Sequence, residues 1–358
     1  MHMSDALISP AVGGGFWVVS TGAIVYAATR LRKESPAGAP AIAGVLAGFV
    51  FAAQMINFAV PGTGSSGHLG GGMLLAIVLG PWAGLIAVAS VLMVQALFFA
   101  DGGLLALGCN IFNLGVIPSL LVAPLLPVLS ASGRDSQQPG LAGGVGAWFA
   151  LMIGAFMVTI QTLLSEKTAL PFSLFATAML GIHAAIGVVE GVVTALVVAY
   201  VARGRVAEMR HPWRRRHGLA SCRRAASIPV LPGEGPTAPR LAAVFMVIAI
   251  MLGTTVSWFA STQPDGLEWA IERIHGEAEL AADEAGIAAR LGRLQERASF
   301  LPDYAFPASA EEESGAESWP VVDAGRSLSG LSGALITISL VFVVAGLLMR
   351  RRPIAPTA

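Results

Sequence analysis

Nine runs of apolar residues, most about as long as the ~20-residue helix that a lipid bilayer demands, constrain this chain more than any other feature. They cover about residues 9–29, 41–60, 69–80, 82–100, 104–130, 141–164, 172–202, 241–261 and 328–349. In hydrocarbon every backbone N–H and C=O must find a partner within the protein, so such runs are expected as helices rather than open strands. Composition agrees: 55% of the 358 residues are hydrophobic and only 12% charged. A water-soluble domain carries charge on about a quarter of its positions, which disfavours a soluble enzyme. The expected fold class is an all-α polytopic membrane protein. Cys109 and Cys222 lie in an apolar run and an arginine-rich stretch, a pattern that supports neither a disulfide framework nor a thiolate metal site.

The distribution of charge orients the runs. Lys and Arg gather at Arg30, Arg32 and Lys33, in the block from Arg203 to Arg224, and at Arg350 to Arg352, and such clusters remain cytoplasmic. The stretch from Leu69 to Leu129 accommodates two long helices or three shorter ones, broken at Gly80-Pro81 and at Asp101-Gly102-Gly103. Only three leave an even number of crossings between the first two basic clusters. Seven spans are therefore expected before Arg203, with an extracytoplasmic N-terminus, and two more bring the C-terminus to the cytoplasm. The organisation that follows is a seven-helix core bundle over 1–204, a basic cytoplasmic linker over 205–239, and a region 240–352 whose two transmembrane helices flank a soluble acidic extracytoplasmic segment. Fourteen of the 22 acidic residues fall in 262–327, against five arginines. There Leu267, Ile271, Ile274, Ala281, Ile287, Leu291 and Leu294 predict one amphipathic helix from Glu268 to Arg297, followed by a loop around Glu311 to Ser314. The arginine block reads as a topology determinant drawn to anionic lipid, with no nucleic acid implied.

No basic stretch precedes the first apolar run and no small-residue cleavage site follows it, so no signal peptide is expected. Met1 is then the expected terminus, retained because the bulky His2 discourages removal of the initiator. Met1-His2 is a chelator in that case. The α-amine, the amide nitrogen of His2 and its imidazole form fused five- and six-membered rings, placing three nitrogens in one plane around a divalent ion. A fourth would complete a square, the geometry suited to Ni(II) or Cu(II). With a reference amine pKa of about 7.7–8.0, binding releases a proton and weakens in acid. His68, in the glycine-rich stretch from Pro61 to Gly72, is the candidate fourth ligand, with a solvated loop histidine as the alternative. The glycines let the backbone dip into the bundle, where an ionisable residue reads as functional. Gly62-x-Gly64-x-x-Gly67 imitates a dinucleotide fingerprint but joins two spans and has no acidic partner about twenty residues on. There is no P-loop lysine either, so any ATP hydrolysis belongs to another subunit.

Gln54, Asn57, Gln95, Asn110, Asn113, Gln161, His183 and Glu190 interrupt the apolar runs. They are expected as interhelical hydrogen-bonding groups, each worth ~0.6 kcal/mol on average. His183 and Glu190 are seven residues apart on one helix face, which leaves a proton relay open. Gly44-x-x-x-Gly48 with Ala43 and Ala47 gives the second span a flat face, for which packing within the chain is the simplest use. An intramembrane metalloenzyme using His68 and His183 is a second class of function, without an HExxH motif to support it. A ligand-free scaffold is a third.

Met1-His2-Met3-Ser4-Asp5-Ala6-Leu7, Ser66-Gly67-His68-Leu69-Gly70-Gly71, Leu79-Gly80-Pro81, Phe99-Ala100-Asp101-Gly102-Gly103-Leu104, Leu107-Gly108-Cys109-Asn110 and His183-Ala184-x-Ile186-Gly187-x-x-Glu190-Gly191 resemble the CbiM/NikM family. Its members are substrate-specific membrane components of energy-coupling factor transporters for cobalt and nickel. The similarity covers about residues 1–202. It implies that Met1, His2 and His68 hold the ion, with Asp5, Ser66, Gln95 and Asn110 as candidates around them and Gly44 and Gly48 as candidate contacts for a coupling protein. Gln263-Pro264-Asp265-Gly266-Leu267-Glu268-Trp269, Leu301-Pro302-Asp303-Tyr304 and Ser329-Gly330-Leu331-Ser332-Gly333 resemble the PDGLE domain, akin in placement to the small CbiN/NikN accessory subunits that help load metal. Met3-Ser4 departs from the Ile-Pro common in the family, which leaves the ligands intact but clouds the choice of metal.

The implied function is a substrate-binding permease subunit importing Co(II) or Ni(II), with a link to cobalamin biosynthesis. No cofactor is permanently bound. The implied partners are a CbiQ/NikQ-like transmembrane coupling protein and CbiO/NikO-like cytoplasmic ATPases, in the plasma (inner) membrane. The chelate chemistry favours nickel and the CbiM-like motifs favour cobalt.

Overall fold

The computed structural model of the chain describes residues 1–34, 39–126, 139–206, 237–278, 280, 286–306 and 320–349, and in it every apolar run contains helix. α1 (Pro10–Glu34) and α2 (Ala39–Gln54) lead into a short antiparallel ribbon, β1 (Phe58–Val60) with β2 (Ser65–Gly67). Then come α3 (Gly72–Leu79), α4 (Pro81–Phe98), α5 (Leu107–Ile111), which widens into a π-helix over Phe112–Val122, α6 (Pro139–Ser165) and α7 (Phe172–Val206). The remainder holds α8 (Thr237–Gly253), α9 (Gly266–His275), α10 (Gly286–Ala298) and α11 (Ala324–Met349). Among the described residues 6 helices are long and apolar enough to cross a membrane; α2 and α8 are shorter, at 16 and 17 residues.

The third expected span needs correction. It is α3, a helix of 8 residues, whose ~12 Å of rise is under half of the ~30 Å hydrocarbon thickness. Gly71, left-handed at φ 70, opens it, and Gly80 at φ 88 breaks it from α4. A Cβ on Gly84 would fall 2.6 Å from the Ala76 backbone, so α3 folds tightly back on α4. A Cβ on Gly72 would strike the Leu114 carbonyl. The irregular backbone before α3 is thereby enclosed by protein, the condition under which such backbone is tolerated at membrane depth. The ribbon that carries this loop is also an addition to the all-α expectation.

The small-residue face of α2 is covered by this chain itself. A Cβ on Gly48 would lie 2.9 Å from Ile338 and one on Gly44 3.3 Å from the Ile338 carbonyl, both on α11. Gly44 and Gly48 are thus intrachain packing residues, as the simplest use of the motif predicts, and their assignment to a coupling-protein contact is corrected. α8 and α11 cross where Gly253 meets Gly330, again with no room for a Cβ.

The expected single helix from Glu268 to Arg297 is two. α9 stops at Gly276, left-handed at φ 92, and α10 starts at Gly286, φ 90. Glycine takes up that conformation without a Cβ clash and so ends helices. Residues 207–236, which contain most of the arginine block and Cys222, lie outside the described residues, as do Ala281, Glu311 to Ser314 and Arg350 to Arg352. Cys109 is a buried free thiol. Arg32 Nε donates to the Leu348 carbonyl at 3.2 Å, so the C-terminal ends of α1 and α11 share one face of the bundle.

Candidate metal centre

The N-terminus lies at the other end of α1, ~37 Å along the helix axis from that face, and it is a buried segment rather than a tail. Met1 and Met3 are 4% and 0% exposed. The Met1 methyl packs where Gly154 of α6 has no side chain, 3.3 Å from the position a Cβ would take. Asn110 grips the Met3 main chain from both sides, accepting from its N–H at 2.9 Å and donating to its carbonyl at 3.2 Å. Gly103 N–H also donates to the Met3 carbonyl at 2.9 Å. Asp5 accepts the Ala106 N–H at 2.9 Å. Asn110 and Asp5 therefore fix the main chain that follows Met1 and His2.

This placement brings the amine to His68. Met1 N stands 3.2 Å from His68 Nε2. His68 Nδ1 faces the Leu69 carbonyl at 3.0 Å; a carbonyl only accepts, so the proton sits on Nδ1 and Nε2 presents its lone pair to the amine. Burial first, then the terminal ammonium and His2, push the His68 pKa down to about 3, against the smaller opposing pull of Asp265 and the Leu69 carbonyl. The imidazole is neutral at physiological pH, as a ligand must be.

Two glycine turns and a buried carboxylate aim the His68 loop. Gly62 and Gly64 take φ 76 and 74 in the turn of the ribbon, which is the structural use of the glycine pattern set aside as a nucleotide fingerprint. Beyond His68, Glu190 of α7 accepts the N–H groups of Gly70 at 2.6 Å and Gly71 at 2.9 Å, one on each oxygen. Gln54 donates to the Gly70 carbonyl at 2.7 Å. The sequence left a proton relay between Glu190 and His183 open; in the structure both Glu190 oxygens hold the loop, and His183 Nδ1 donates to the Met179 carbonyl at 2.8 Å. Asn113 and Gln161 meet the interhelical expectation directly, as a reciprocal amide pair at 2.8 and 3.0 Å.

His2 completes the group, its ring centroid 5.0 Å from that of His68. His2 Nδ1 is 2.6 Å from Asp101 Oδ1, and the other Asp101 oxygen accepts the Tyr304 hydroxyl at 2.5 Å. Burial pushes the Asp101 carboxyl up, but the nearby His2 and the hydrogen bonds from His2 and Tyr304 outweigh it and hold the pKa at about 2. Gln95 contributes through its main chain: its carbonyl accepts from Phe99 and Asp101 at 3.1 and 3.2 Å and so sets the turn that carries Asp101.

Residues Gln263 to Trp269 on one side, and Asp303 and Tyr304 on the other, cover this centre. The Pro264 carbonyl accepts Ser66 N–H at 2.8 Å, and Ser66 Oγ donates to the Gln263 carbonyl at 2.7 Å. Ser66 thus anchors the segment that covers the centre. Asp265 caps α9 with Oδ1, accepting from Leu267 at 2.7 Å and Glu268 at 2.9 Å, while Glu268 returns the bond to the Asp265 N–H in a capping box. Its Oδ2 pairs with the Met1 amine at 3.0 Å. Burial pushes the Asp265 pKa up, yet the ammonium and His68 outweigh it and hold it well below the usual carboxylate range. Trp269 Nε1 donates to the Thr63 carbonyl at 3.0 Å. On the other side, Asp303 N–H reaches the Phe99 carbonyl at 2.8 Å and the Tyr304 ring stacks on Phe99. The two turns that meet here contain Ala100, Asp303 and Tyr304 at φ 55, 51 and 63, a strained left-handed conformation that persists at sites held by their surroundings.

Among the described residues no cluster of three or more His, Cys, Asp or Glu side chains suited to a metal occurs; the donors gathered here include main-chain nitrogen. Fold and site together define a polytopic helical membrane protein with a buried nitrogen-donor centre at its N-terminus. The chain belongs to the CbiM family: residues 2–207 match the cobalt uptake substrate-specific transmembrane region, and residues 239–351 match the PDGLE domain. It is 36% identical over 205 residues, 57% of its length, to 91% of a protein of Haloquadratum walsbyi provisionally named a metal transport protein. It is 30% identical over 223 residues to the fused nickel transport protein NikMN of Rhodobacter capsulatus, matching 57% of this chain and 62% of that one. A solved crystal structure of a transition metal transporter, 28% identical, is matched over 100% of its length by 61% of this chain with a TM-score of 0.53.

Proposed function

We propose that this chain is the substrate-binding permease subunit of an energy-coupling factor transporter that imports Co(II) or Ni(II), with a link to cobalamin biosynthesis. The observation that carries it is the 3.2 Å approach of the Met1 amine to His68 Nε2 across 67 residues of sequence, with the His2 ring beside them. Met1 N, the amide nitrogen and imidazole of His2, and His68 Nε2 form the square of donors. A free amine at Met1 is part of the proposal. Binding would exchange the amine proton, the amide proton of His2, and the bond between His2 Nδ1 and Asp101 for the ion, with both protons released to water. Cytoplasmic ATPases act through a transmembrane coupling protein, and the centre faces outward, opposite the C-terminal end of α1 with Arg32 and Lys33. The metal transport names of the relatives support this over a metalloenzyme built on His68 and His183.

Metal analysis tests it. Protein purified after growth in equal cobalt and nickel is expected to carry one ion per chain and to show which metal is preferred, and His68→Ala is expected to carry none. Full occupancy in His68→Ala would defeat the assignment. A reporter fused after Ala260 is expected to read outside and one after Arg216 inside; the reverse pattern would overturn the orientation.

A further inference from the structure

The sequence distance between Met1 and Asp265 is 264 residues, yet the second domain places a carboxylate oxygen inside the donor set of the first. Asp265 Oδ2 is 3.0 Å from the amine and 3.8 Å from His68 Nε2, and those two nitrogens are 3.2 Å apart. A triangle with these sides has its corners about 2.0 Å from a common centre, which matches the ~2.0–2.2 Å at which nitrogen and carboxylate oxygen ligate a first-row divalent ion. We propose that Asp265 is itself a ligand of the transported cation, so that the PDGLE domain completes the coordination sphere begun by Met1, His2 and His68. The inference rests on the N-terminal chelate proposed above.

The local structure of α9 favours this use. The capping box commits Oδ1 to the helix N-terminus, which fixes the carboxylate plane and leaves Oδ2 on the side of the amine. Gly266 lets the peptide come close: a Cβ there would stand 3.0 Å from the His183 ring and 2.8 Å from Ile186. The Pro264 carbonyl and the Trp269 indole tie the same turn to the ribbon on both sides. Oδ2 already faces a cation, the terminal ammonium. When the amine gives its proton to water and its lone pair to the ion, the same oxygen lone pair faces the ion without moving its helix. The cation changes from ammonium to metal while the carboxylate stays charged throughout.

Nickel in the full-length protein is the probe. Four nitrogens in a plane give Ni(II) a sharp square-planar shoulder on its X-ray absorption edge, and an added oxygen donor removes it. Wild type is expected to show five nitrogen or oxygen neighbours and no shoulder. Asp265→Ser is expected to show four neighbours, the shoulder, and nickel affinity lower by about tenfold or more. Serine is as good an N-cap as aspartate, so α9 and its docking survive the change. Trp258→Phe, which removes the bond that Trp258 Nε1 donates to Ser327 Oγ at 2.8 Å within the same domain and leaves Asp265 in place, is expected to keep the wild-type edge. Identical edges and affinities in wild type and Asp265→Ser would overturn the inference while leaving the N-terminal chelate standing. Loss of all nickel from wild type would instead defeat the chelate itself.

Discussion

One residue added ahead of Met1 is expected to abolish cobalt and nickel retention while leaving the helical bundle folded. The amine is a donor only as a terminus; in a peptide bond its lone pair is delocalised and the five-membered chelate ring cannot close. An extended residue also displaces the new terminus by ~3.3–3.6 Å. The site has no room for it, because His68 Nε2 and Asp265 Oδ2 already stand 3.2 and 3.0 Å from the nitrogen. Loss of a chelating donor together with the misplaced main chain is expected to weaken binding by at least ~1,000-fold, about 4 kcal/mol. Calorimetric titration with Ni(II) and Co(II) measures that loss, and a monodisperse elution profile in detergent shows that the fold is kept. Wild-type affinity in the extended protein would sink the chelate.

The proposed chelate can be framed from sequence because its chemistry is local: amine, amide and imidazole of Met1-His2 are adjacent covalently. His68 stands out because a histidine among glycines between two apolar runs has few structural uses, and the structure places its ring beside the Met1 amine. The spans were legible too, since nothing but hydrophobicity and length is needed to find α1, α6, α7 or α11. The eight-residue α3 was not, because hydropathy reports how apolar Leu69 to Leu79 is and not that Gly71 and Gly80 cut the helix on both sides. The break at Gly276 is the same lesson in the acidic segment: apolar spacing carried the expected helix through a glycine that a stop signal should have ended it on.

The residues missed at the centre are those whose partners are remote in sequence. Asp101 was placed in a loop, but nothing local tells that its two oxygens join His2 to Tyr304, 99 and 203 positions away. Asp265 was one of fourteen acidic residues in its segment, and the capping spacing to Glu268 would have singled it out as a helix start without revealing the amine beyond it. Ser66, a candidate around the ion, sends its hydrogen bonds to the Gln263 and Pro264 carbonyls, partners that nothing local to β2 reveals.

Glu190→Ala is expected to have the second large effect, on stability and metal binding together. Its carboxylate takes the consecutive N–H groups of Gly70 and Gly71 inside the bundle, and Gln54 holds the intervening Gly70 carbonyl from the other side. Alanine leaves two buried donors without partners, at ~1–3 kcal/mol each, and frees the turn that connects His68 to α3. The melting temperature should fall and nickel affinity should fall with it, since His68 loses its fixed bearing on the amine. Glu190→Gln sharpens the test. Its single amide oxygen can serve one glycine, but its NH2 group meets the other N–H donor to donor, so an intermediate loss of both stability and affinity is expected from a clamp. A proton relay through Glu190 predicts another outcome, in which the glutamine variant stays stable and binds nickel but no longer supports uptake. Melting curves and nickel titrations of the three proteins decide between them: a Glu190→Gln variant with wild-type stability and affinity would reject the clamp, and parallel losses in both would reject the relay.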